Sequence, residues 1–103
     1  MACDASKCVG GGFRDALACI VNGLGLRPII IDNGAQYTSI IYVGLSSVEE
    51  FNKVRSIVKE CVVELVEKYF KQQVDGYKVI DGEGQLLFIF SNLLLAVKLS
   101  IYS

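Results

Sequence analysis

The side chains with the richest chemistry in this 103-residue chain are its cysteines, Cys3, Cys8, Cys19 and Cys61. Cysteine offers metal ligation, thiolate attack and disulfide formation. For a metal the spacing is wrong: Cys3 and Cys8 are too far apart for a CxxC knuckle, and no His or second cysteine pair completes a zinc site. Thiolate attack would need a base, and the usual one is absent with His, while Cys8 with Asp15 is not a motif. Cys19 and Cys61 fall among apolar helical neighbours, where cysteine behaves as a small hydrophobe. No apolar leader follows Met1. The thiols therefore read as reduced in a cytoplasmic protein, with a Cys3–Cys8 bridge as the alternative.

The remaining polar groups are equally sparse in catalytic pattern. Gly10-Gly11-Gly12 lacks the GxxxxGK[ST] spacing and follows no strand, so no phosphate loop and no cofactor are expected. Asp32 and Asp81 sit in turn signals, where a carboxylate ordinarily bonds the turn backbone. Arg14, Arg27 and Arg55 read as surface charges. Ten basic residues against eleven acidic ones leave a net charge of −1 with no basic run, which argues against nucleic acid as a partner.

The elements that must position these groups follow from periodicity. Residues 1–12 read as a flexible arm and 13–103 as a single domain. Phe13, Ala16, Leu17, Ile20 and Leu24 recur at helical steps, and the spacing predicts a helix over 13–23. Pro28 turns the chain extended, and Ile29-Ile30-Ile31 predicts a strand, with Asp32-Asn33-Gly34 as a hairpin turn into a second strand over 37–45. Ser47-Val48-Glu49-Glu50 has capping-box spacing and starts a helix over 48–72. Val54, Val58, Cys61, Leu65 and Tyr69 form its apolar stripe, which Phe51, Val62, Val66, Val63 and Phe70 widen to half the circumference or more. One part of that arc can pack on a sheet, and the rest calls for another surface.

Three strands are expected to close the chain, over 77–81, 85–91 and 93–102, with a hairpin turn at Asp81-Gly82-Glu83-Gly84. Leu86-Leu87-Phe88-Ile89-Phe90 and Leu93-Leu94-Leu95-Ala96-Val97 are unbroken apolar runs, which suits central strands covered on both faces. Ser91-Asn92 interrupts the apolar tail, so no transmembrane segment is expected. The fold class is α+β: an α/β/α sandwich around one five-stranded antiparallel sheet, in the order α-β-β-α-β-β-β. Apolar residues make up 52% of the chain, a surplus that association with a second copy would hide.

In element order and turn placement the chain resembles the Roadblock family, which includes dynein light chains and bacterial MglB. The resemblance rests on Ile29-Ile30-Ile31-Asp32-Asn33-Gly34, on the capped helix from Ser47, and on Tyr77-Lys78-Val79-Ile80-Asp81-Gly82-Glu83-Gly84-Gln85. It spans residues 13–102. Many members carry a further helix after the last strand, and this chain is more similar to the short form without it. The sheet face such a helix shields would then be only partly covered, by the first helix or by a partner.

The resemblance implies a homodimer in which the long helices pack together and the third strands join into one sheet. Its interface would use Phe51, Val58, Val62, Leu65, Val66 and Tyr69 from the helix, with Tyr77 and Val79 from the strand edge. The alternative for each is internal core. The function implied is a non-enzymatic regulatory or scaffold protein that binds a small Ras-like GTPase. A small-molecule sensor of profilin- or longin-like topology is the alternative, although Tyr42, Gln85 and Asn92, its candidate polar groups, are scattered along the chain.

Overall fold

The chain's first apolar stripe is the buried face of helix α1 (Phe13–Gly23) in the computed structural model, which describes residues 4–32 and 38–101. Gly25 ends this helix at φ +80°. Its N–H bonds the Asn22 carbonyl at 3.0 Å, and the Leu26 N–H bonds that of Val21 at 3.3 Å. This is the Schellman arrangement that favours glycine. Helix α2 (Val48–Glu64) starts where Ser47 Oγ accepts the Glu50 N–H at 3.1 Å. The reciprocal bond of the expected capping box moves back one residue: Ser46 N–H, not Ser47 N–H, donates to the Glu50 carboxylate at 3.0 Å.

The strands are β1 (Ile29–Asp32), β2 (Ser39–Leu45), β3 (Lys78–Gly82), β4 (Gln85–Phe90) and β5 (Leu95–Ile101), in one sheet of order β1-β2-β5-β4-β3. The turn expected at Asn33-Gly34 lies outside the described residues. A fully antiparallel sheet was expected, yet β2 and β5 pair in parallel. The cause is α2, which carries the chain back along the sheet so that β3 starts in the direction of β2. Since β4 reverses β3 and β5 reverses β4, the two hairpins meet with their inner strands parallel.

The layers also differ from expectation. Ile41, Val43 and Leu45 of β2 are buried, as are Leu86, Phe88 and Phe90 of β4 and Leu95, Val97 and Leu99 of β5, while most of the alternate residues are only half-buried. These side chains form one core with α1 and α2. The Phe13 ring packs edge-on against Phe90 and Phe70, with centroids 5.0 and 5.4 Å away. Both helices therefore lie on one side, and the fold is a two-layer α+β sandwich.

The long helix ends in a π turn over Leu65–Tyr69, where Phe70 N–H bonds the Leu65 carbonyl at 3.1 Å. One extra residue in that turn rotates Phe70 inward to the place a continuous α-helix would give Tyr69. Tyr69 points out, 42% exposed. At the other end of the chain, residues expected to form a free arm instead hold a 3-10 turn, Ala5–Cys8, with Ala5 fully buried and Cys8 joined to Cys19 by a disulfide.

Candidate interaction surface

The sheet register assigns every strand residue to one of two faces. On the side away from the helices, Ile31, Ile40, Ala96, Ile89 and Lys78 form one row across all five strands, and Ile29, Tyr42, Lys98, Leu87 and Ile80 form the next. Ile40, Tyr42, Leu87 and Ile89 are half-buried, shielded by one another and not by the core on the opposite side. Ile29 is 53% exposed, Ile31 44% and Ile80 40%. Among the described residues nothing covers this face. Strands spaced ~4.8 Å apart with a rise of ~3.3 Å per residue give these two rows roughly 300 Å², within the range of the largest apolar patch on a monomer.

Its charge is one-sided. Lys98 lies in the middle of β5, which is the middle strand, and Lys78 lies at the rim on β3. No Asp or Glu stands in either row, and neither ammonium makes an ion pair among the described residues.

The opposite side is closed by ion pairs. Asp32, at the end of β1, accepts from Arg14 of α1 at 2.9 Å and from the buried Ser39 hydroxyl at 2.9 Å. Asp81, on β3, accepts from Lys59 of α2 at 3.0 Å and from Arg55 at 3.1 Å. The hydrogen bond from Lys59 lowers the Asp81 pKa; desolvation opposes it, and the charges of Arg55 and Lys59 add to the lowering. Each edge strand is thus tied to a different helix. These carboxylates, expected to bond their own turns, hold the layers together instead. Tyr77, tilted against Phe88 and Phe90, has its phenol pKa raised by burial and by the nearby charge of Glu67.

The residues named from the resemblance divide sharply. Phe51, Val58, Val62, Leu65 and Val66 fill this chain's own core and offer no surface to a partner. The wide apolar arc of α2 has its second surface in α1 and the turn at Ala5. Tyr69 and Val79 are exposed, and Tyr77 is half-buried. β3 is an edge strand, so Val79 does lie where another strand could pair. A sheet face only partly covered, by the first helix or by a partner, was expected, but its residues were not named, although the unbroken apolar run of β4 was their signal.

The thiols need correction. Cys8 and Cys19 form a disulfide with their Cα atoms 5.6 Å apart, so neither is a free nucleophile and the reduced reading and the Cys3–Cys8 alternative both fail for Cys8. The chain reversal at Gly10-Gly11-Gly12 brings the 3-10 turn back beside α1. Cys61, fully buried, is disulfide-bonded as well, and Cys3 lies outside the described residues. A cavity of about 370 Å³ adjoins these cysteines, and its charged groups, Asp4 and Lys7, face each other at 3.7 Å. The polar groups weighed for a sensor do not converge: Tyr42 and Gln85 lie on the open face, and the Asn92 amide donates to the Gln73 carbonyl at 2.8 Å.

Among the described residues no cluster of metal-ligating side chains occurs, and no helix is long and apolar enough to cross a membrane. Comparison with protein-family models, with curated proteins and with solved structures yields no match.

Proposed function

We propose that this chain is a non-enzymatic scaffold subunit that works by association through its sheet. The observation that carries this reading is the open apolar face, with Ile29, Ile31, Ile40, Leu87, Ile89 and Ile80 on one side of a sheet whose other side is already covered. Leaving such a face in water is unfavourable, and the largest apolar patch on a monomer is often functional. The edge strand β3 supports a homodimer by strand pairing, with Val79 on the strand and Tyr77 just before it. Control of a small GTPase is the narrower form of the reading that the Roadblock resemblance implies. The Cys8–Cys19 disulfide favours an oxidising compartment over the cytoplasm first expected.

Light scattering tests the dimer. A dimer in the unmodified chain that becomes a monomer in the Val79→Lys, Ile80→Lys double variant, with unchanged circular dichroism, is the expected result. A monomer at all concentrations up to about 100 µM, too weak an association for a stable subunit, would count against it. Pull-down and hydrolysis assays against the small GTPases of the source organism test the narrower form, which fails if there is neither binding nor a change in rate.

A further inference from the structure

The occupant of the open face is constrained by its charge. Lys98 sits at the centre of the face, flanked by Tyr42 on β2 and Leu87 on β4, with no carboxylate on either row. A twofold stack of this face centred on itself would bring two Lys98 ammonium groups together away from water, which is strongly unfavourable. Moving the axis off Lys98 sets each ammonium against the other copy's apolar residues with no carboxylate to meet it. A second copy of the chain is therefore a poor fit for this face.

The other side of the same sheet shows what fits. There α1 and α2, each roughly 10 Å across, lie side by side over a sheet roughly 24 Å wide. Helices laid on the open face would complete a third layer of the same dimensions. We propose that the open face docks an amphipathic helix of a different protein, whose apolar stripe carries a single Asp or Glu placed to meet Lys98. The apolar residues supply the contact area, and the carboxylate supplies orientation and choice of partner. This inference rests on the reading of the chain as an association module.

The test uses three synthetic 18-residue helical peptides with the same Leu stripe, which differ only in having Glu, Gln or Lys at its centre. Titration calorimetry against the full chain, with amide chemical shifts, reads both affinity and place. The Glu-centred peptide is expected to bind about tenfold tighter than the Lys-centred one and to shift Ile40, Ile89 and Ala96. Lys98→Glu is expected to reverse the order of the two peptides, and Lys98→Gln, the milder change, to level it.

An order unchanged by Lys98→Glu and Lys98→Gln would overturn the inference, as would shifts confined to α1 and α2 or no binding by any peptide. A chain that dimerises through β3 yet binds none of the peptides overturns this inference alone. A monomeric chain that binds the Glu-centred peptide at this face upholds it and removes only the dimer.

Discussion

Leu86 and Leu87 are neighbours on β4 that face opposite sides of the sheet, so the same substitution at each compares the two faces directly. Leu86 is 0% exposed and packs in the core beneath α2, and Leu87 stands on the open face beside Lys98. Leu86→Ala removes buried methyl groups and leaves a cavity, at a cost of about 2–5 kcal/mol. Leu87→Ala removes methyl groups that remain partly in contact with water, and about 1 kcal/mol is expected from the lost area. A domain of this size has a total stability of about 5–15 kcal/mol. The two variants should therefore separate clearly in urea unfolding at low micromolar concentration, with equal m-values. Each kcal/mol corresponds to a Tm shift of about 4–8 °C. Equal losses above about 2 kcal/mol at both positions would refute the two-layer fold, because Leu87 would then be as deeply covered as Leu86.

Three further outcomes are expected. Replacing Cys8 and Cys19 by Ser opens a loop of sequence separation 11, and denaturant unfolding should record a loss of about 3 kcal/mol; no loss would place the link outside the folded state's stability. Because the folded-state pKa of Asp81 is lowered, its stabilising effect is present above the ordinary carboxylate range and is lost as pH falls below that range through the lowered value, so Asp81→Asn should destabilise at neutral pH and converge with the unmodified chain in strong acid. A stability difference independent of pH would contradict this. Gly84 has φ +74°, and a Cβ there would meet the Ile101 Cδ1 at 3.2 Å, so Gly84→Ala should lower stability by about 1–2 kcal/mol, measurable as a fall in Tm.

The helices were legible where local chemistry decides. The spacing of Phe13, Leu17 and Ile20, and the Ser47 cap with Glu50 three residues on, each mark α1 and α2 without tertiary context. The layer count was not legible. Leu87 and Ile89 are apolar although none of the described residues covers them, and an apolar residue reads the same whether its cover is the chain itself or absent. That ambiguity turned a half-open sheet into an expected three-layer sandwich.

The breadth of the α2 stripe misled in the opposite direction. A helix wedged between a sheet and a second helix needs a wide apolar arc without any partner, and Val58, Val62 and Leu65 belong to that wedge. The outward turn of Tyr69 depends on the π turn after Leu65, which is a tertiary adjustment invisible to a periodicity of 3.6. Cysteine pairing likewise depends on where the chain reversal at Gly10-Gly11-Gly12 leads, which spacing does not specify. The apolar surplus in the composition was the trace of the open face, although it was assigned to the α2 surface and not to the sheet.

The most direct test of that face is the relaxation of side-chain methyl groups by a soluble paramagnetic probe in the free chain. The two-layer fold predicts strong relaxation at Ile31, Ile40, Leu87 and Ile89, with protection at Ile41, Leu86, Val97 and Leu99. Equal protection of both sets would contradict it, because the surface proposed to receive a partner would already be covered.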